Sequence, residues 1–225
     1  MEFLVKRLRK LDHYHYECEQ FPSMTGMSNL SKRSIHELEF HFYGKLQNIH
    51  QDGAGIIFAV RVLPLLGLFF IPVLWEEVNL VINSVVWIAL WLVGILWRQS
   101  YRIYESNRPV GKLVKKRGAC YQSDYKKDTY DIAAHSGDRV SVIKNGVQIA
   151  LIRRDAVAWN NENVYRILYR ETCSEEDRGF LFMTCVFCDR VFYSDFDGLV
   201  LGPVVSKNIV AGDRYKERAE WTPDV

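Results

Sequence analysis

The chain has 225 residues, 48% hydrophobic and 25% charged, enough for one ordinary domain with accessories or two small domains, and this composition excludes collagenous, disordered and coiled-coil chains. Twenty-nine lysines and arginines against 27 acidic residues leave a formal charge of +2, too balanced to point to nucleic acid as a partner. Five cysteines at irregular spacing (Cys18, Cys120, Cys173, Cys185 and Cys188) argue against a disulfide framework and for a reducing compartment.

The basic N-terminus has no apolar run or small-residue cleavage site of the kind a secretory signal needs, so it reads as retained. Within FLVKRLRKL, Phe3, Leu4, Leu8 and Leu11 recur at helical spacing opposite Lys6, Arg7, Arg9 and Lys10, the pattern of a short interfacial helix. His13, His15, Glu17, Cys18 and Glu19, with His36 and His41, lack the spacing of a metal site, and no metal is expected. SMTGMSNLSK reads as a flexible polar connection. Ser34 and Glu37 then form a capping-box pattern, and Ile35, Leu38, Phe42, Leu46 and Ile49 predict an amphipathic helix from about Ile35 to Ile49.

From Ala54 to Trp97 only Arg61, Glu76 and Glu77 are charged. Ala54 to Leu74, 21 residues, would rise about 31 Å as a helix, against a hydrocarbon core of roughly 30 Å. Val78 to Leu96 carries no charge, so the pair reads as a two-helix transmembrane hairpin turning at Trp75, Glu76 and Glu77. Lys45, Arg98, Arg102 and Arg108 flank the spans and the tip has no basic residue, which places both termini in the cytoplasm. Arg61 reads as a snorkelling side chain.

Beyond Trp97 short half-apolar runs alternate with turn signals. Candidate strands are Tyr101 to Glu105, Val110 to Lys116, Thr129 to Ala134, Arg139 to Lys144, Val147 to Arg153 and Val164 to Arg170. Asn145-Gly146, between VSVIK and VQIALI, is the strongest hairpin signal, because a type I′ turn needs positive φ at both central residues. Ser174-Glu175-Glu176-Asp177 supplies an N-cap and an acidic first turn for RGFLFMTCVFCDRVFYS, a helix apolar on every face and therefore enclosed. A strand buried on both faces is the competing reading of that run. Asp189 needs a cationic partner if buried: Arg190 is adjacent, and Arg153 or Arg154 lie within reach of a fold.

RIYESNRPVGKLVKK, YDIAAHSGDRVSVIKNGVQIALIRR and VYRILYRE, followed by EEDRGFLFMTCVFCDRVFYSD, resemble the tubby C-terminal-like superfamily, which includes the phospholipid scramblases and the LURP-one-related proteins. The likeness covers about residues 101 to 194. It implies a β-barrel wrapped around a hydrophobic helix with a terminal acidic residue, here the stretch ending in Cys188-Asp189-Arg190-Val191-Phe192-Tyr193; the family's complete barrel has more strands than these residues supply.

The expected architecture is therefore a membrane α+β protein. It comprises an N-terminal helical arm (residues 1–52), the transmembrane hairpin (53–97), a cytoplasmic tubby-like antiparallel β-barrel or sheet around a helix (98–194) and a tail (195–225). The pattern of a lone CxxC (Cys185, Cys188), and the absence of G-x-S-x-G, H-E-x-x-H or a Gly-rich phosphate loop, assign no catalytic residue and no cofactor. Between Arg98 and Lys127 nine basic residues (Arg98, Arg102, Arg108, Lys112, Lys115, Lys116, Arg117, Lys126 and Lys127) face two acidic ones. They are the candidate lipid-binding residues, since basic side chains near an anionic leaflet contribute about 1 kcal/mol each. The expected function is non-enzymatic docking of the β domain on anionic phospholipid or a protein partner at the inner leaflet, with homo-oligomers possible. The alternatives are a membrane-bound hydrolase or thiol enzyme using Cys185, Cys188 or His135, and a small oligomeric transporter or channel.

Overall fold

The computed structural model describes residues 1–10, 13–29, 37–52, 88, 100–116, 120–135, 138–156, 163–193 and 221–223. The described residues form twelve strands, and the period-two alternation of inward and outward side chains is clearest in His13–Cys18 and Asn163–Tyr169. The first five are β1 (Glu2–Arg9), β2 (His13–Cys18), β3 (Thr25–Asn29), β4 (Glu37–Phe42) and β5 (Lys45–Gln51). The rest are β6 (Ser100–Glu105), β7 (Arg108–Lys115), β8 (Cys120–Tyr125), β9 (Asp128–His135), β10 (Arg139–Lys144), β11 (Val147–Ala156) and β12 (Asn163–Tyr169). They form one antiparallel barrel in sequence order, closed where β1 meets β12 with Phe3 opposite Ile167. Among the described residues, closure leaves no unpaired edge strand. The chain divides into a barrel unit, residues 1–50 and 100–225, and a second unit, residues 51–99, inserted between β5 and β6.

A single described helix of the barrel unit, α1 (Glu175–Cys188), fills the interior and continues into a π-helical turn, Asp189–Tyr193. Ser174 caps it: its hydroxyl accepts from the Asp177 amide while the Asp177 carboxylate accepts from the Ser174 amide. From Gly179 to Cys188 every residue is buried, because the helix has strands on all sides. Phe180 stacks on Tyr130 at 3.9 Å, Phe182 meets Phe42 edge-on, and Phe187 sits edge-on to Tyr101 and Tyr121. These rings pack between the helix and the barrel wall, and each buried phenylalanine is worth roughly 1.5–3 kcal/mol of transfer free energy.

The membrane α+β architecture is corrected by this fold. The predicted interfacial helix of residues 3 to 11 is instead strand β1, with Phe3, Val5 and Arg7 buried on alternate positions; buried Arg7 broke the apolar period-two signal. The predicted helix from Ile35 to Ile49 is the β4–β5 hairpin, in which Leu38, Phe40 and Phe42 alternate inward. Part of the expected polar connection is β3. The expected two-pass integral membrane architecture, with both termini cytoplasmic, is corrected as well. Among the described residues no helix is long and apolar enough to cross a membrane, and charge counting assigns an orientation only to chains that have spans. The runs 54–74 and 78–96 lie outside the described residues except for Ile88.

Candidate functional site

The strand order gives the barrel two distinct ends. The β4–β5, β6–β7, β8–β9 and β10–β11 turns share the cap end with the start of α1; α1 finishes at the exit end. At the exit end Asp189 is fully buried, as the end of an enclosed helix must be. Arg7 Nη1 donates to both of its carboxylate oxygens at 3.2 Å, the Tyr16 hydroxyl donates to Oδ2 at 2.6 Å, and the Tyr165 hydroxyl donates to Oδ1. The Arg7 guanidinium also lies over the Tyr14 ring, as does that of Arg190. Burial, and then the Asp189 charge, push the Tyr16 and Tyr165 phenols well above their ordinary range, so both stay protonated donors. The cluster thus pins the end of α1 to β1, β2 and β12. The partner of Asp189 is therefore Arg7, from the opposite end of the chain, rather than Arg153 or Arg154.

At the cap end, charges alternate around the start of the helix. Lys144 Nζ donates to Asp177 Oδ1 at 2.8 Å and lies 2.9 Å from Asp128 Oδ2, and the Tyr130 hydroxyl donates to Asp177 Oδ1 at 2.7 Å. Burial raises the Asp177 carboxyl, but the bonds from Lys144, Tyr130 and Ser174 outweigh it and hold the pKa below the ordinary value. Lys126 Nζ donates to Glu176 at 2.8 Å and lies 3.9 Å from Glu105.

No protein-family model matches this chain, and no curated protein or solved structure matches it either.

Of the nine basic residues, the seven that are described separate into three places. Arg108, at the start of β7, and Lys126 and Lys127, in the β8–β9 turn, stand at the cap end. Arg102 and Lys112 face each other across β6 and β7 on the outer wall, with Lys112 also opposite Asp124. Lys115, half-buried opposite Tyr121, and exposed Lys116 lie at the exit end, while Arg98 and Arg117 lie outside the described residues. Reading along the sequence groups these residues, whereas the antiparallel turns send neighbours in sequence to opposite ends.

The residues weighed for catalysis are enclosed. Cys185 and Cys188 are at most 1% exposed inside α1, and burial pushes both thiols up, with the neighbouring charges adding to it. An activated thiolate requires the reverse. His135 Nε2 lies 2.8 Å from the Ser141 hydroxyl, which accepts from Gln148 Nε2 at 3.1 Å. Burial, helped by the Arg139 charge, lowers the imidazole to about 4, so it is neutral near pH 7. Ser141 is fully buried and is not presented to a substrate. His15 pairs with Glu17 at 3.0 Å, and among the described residues no group of three or more His, Cys, Asp or Glu is placed to hold a metal ion.

The alternation of Tyr14, Tyr16 and Cys18 in HYHYEC is the one sequence signal that could have located Arg7 and Tyr16, because it places Tyr16 on a buried strand face.

Proposed function

We propose that this chain is a non-catalytic docking protein whose barrel binds anionic phospholipid at its outer surface. The observation that carries the reading is the division of the barrel: its interior is occupied by α1, buried from Gly179 to Cys188, while Arg102, Arg108, Lys112 and Lys127 are exposed on the outside. A barrel filled by its own helix offers ligands its surface, and exposed cations on that surface attract phosphate-bearing headgroups. The resemblance to the tubby C-terminal-like superfamily is supported by a closed barrel around a hydrophobic helix, with β1–β5 supplying strands beyond those of residues 101 to 194. Burial and raised pKa of Cys185 and Cys188 weigh against the thiol-enzyme alternative.

Co-sedimentation of the full chain with vesicles of phosphatidylcholine, alone or mixed with phosphatidylserine, tests the reading at low and high salt. Retention on the anionic vesicles should exceed that on neutral ones and decline as salt shortens the Debye length from about 10 Å at 0.1 M. Equal retention under all four conditions would overturn it.

A further inference from the structure

We infer, resting on the lipid reading above, that the cap end is the face that meets anionic phospholipid, with the β4–β5 and β10–β11 hairpin tips entering the headgroup layer. Met1, Tyr43, Leu46 and Val147 are the exposed large hydrophobic residues among the described residues of the barrel unit, at 38% to 57% exposure. All four stand at this one end.

The β4–β5 turn has φ of 45° at Tyr43 and 81° at Gly44, and the β10–β11 turn has nearly the same pair, 48° at Asn145 and 86° at Gly146. The β6–β7 turn is a third left-handed pair, with 49° at Ser106 and 65° at Asn107. Asn-Gly is the ordinary choice, because asparagine tolerates left-handed backbone and a bulky side chain does not. Tyr43 is 40% exposed, so packing in the barrel does not offset that strain. A ring with an apolar body and a hydroxyl tip suits the boundary between headgroups and acyl chains, and a strained residue at an exposed tip is a reason to look for function there.

The neighbouring tips form one continuous rim. Ser106 N donates to Leu46 O at 3.2 Å, Lys126 N to Val110 O at 2.7 Å, and Asn145 N to Thr129 O at 2.8 Å. Lys45, Arg108 and Lys127 are exposed on this arc, Lys45 lying 3.8 Å from Glu105; Glu105, Asp128 and Glu176 are engaged by Lys126 and Lys144, and exposed Asp124 accepts from Thr129 Oγ1 at 3.2 Å. Exposed Glu171 and Glu175 lie on the β12–α1 side, so the barrel meets the anionic surface on its β4–β11 side. Apolar tips flanked by cations are the pairing an anionic bilayer surface selects.

The test uses the full chain with a single added thiol, Leu46→Cys or Val147→Cys at the cap end or Lys116→Cys at the exit end, carrying an environment-sensitive fluorophore. The described native cysteines are at most 9% exposed, so the added thiol reacts first. Phosphatidylserine-containing vesicles should blue-shift the emission at 46 and 147 and leave 116 unchanged. Tyr43→Asn should lower retention on those vesicles at least threefold without lowering the unfolding midpoint. A shift at 116 with silent tips, the chain still sedimenting with anionic vesicles, would overturn this face and leave the lipid reading intact. A wild-type chain that ignores anionic vesicles would overturn both.

Discussion

Asp189 stands at the end of α1 with helical backbone angles, where the helix macrodipole is itself negative. Only donors from other elements make that tolerable, and Arg7 is the charged one. Arg7→Met should therefore destabilise the fold by roughly 3–5 kcal/mol, because it strands a buried carboxylate. The double variant Arg7→Met with Asp189→Leu should lose clearly less than the two single changes together, a coupling that urea denaturation resolves. His135 gives a pH signature of definite sign. Its pKa is about 4 in the fold against about 6.5 when unfolded, so the unfolded chain binds more protons between those values. The contribution, roughly 3 kcal/mol, is present above pH 6.5 and disappears as pH falls through 4. Urea midpoints between pH 7 and 4.5 should accordingly fall more steeply for the wild type than for His135→Gln.

At the level of elements, Tyr43→Asn should stabilise the β4–β5 hairpin by about 1 kcal/mol in the absence of lipid, by removing a bulky side chain from left-handed backbone; thermal unfolding checks it. The same turn shows why the first half of the fold was not legible. Tyr43 is no turn residue by composition, so Leu38, Phe42, Leu46 and Ile49 passed for a helix stripe, whereas Asn145-Gly146 announced the β10–β11 hairpin plainly. Strands β6, β7, β9, β10, β11 and β12 were readable within a few residues, since their inward positions are apolar. β8 (CYQSDY) was missed because Ser123 occupies a fully buried inward position between Tyr121 and Tyr125. α1 was readable from its cap and its unbroken apolar run. Asp189 was recognisable as a group in need of a partner, but the partner lies 182 positions away, beyond any local pattern.

For the whole molecule, the barrel closes only when β1–β5 join β6–β12. A fragment of residues 98–225 has seven of the twelve strands, lacks Arg7 and Tyr16, and leaves the Phe42 side of α1 bare. It should be degraded by limited proteolysis under conditions that leave the barrel of the full chain intact; a protease-resistant, cooperatively unfolding fragment would contradict this. The candidate site follows the same logic. Basic residues close together in sequence are distributed over two ends and a wall, and the cap end gains Lys45 and Tyr43 from residues 1–52, whose sequence resembles a separate arm.

The pairing of β1 with β12 sets a timetable for biosynthesis. The first strand emerges from the ribosome long before its partner, and at about 5–20 residues per second the wait is on the order of ten seconds or more. Through that interval the nascent β1–β5 sheet has open borders and a bare inner surface, because the helix that will fill it is made later still. Such a chain is suited to chaperone holding during translation, and its yield in a host should respond to elongation speed more than to the final stability of the barrel.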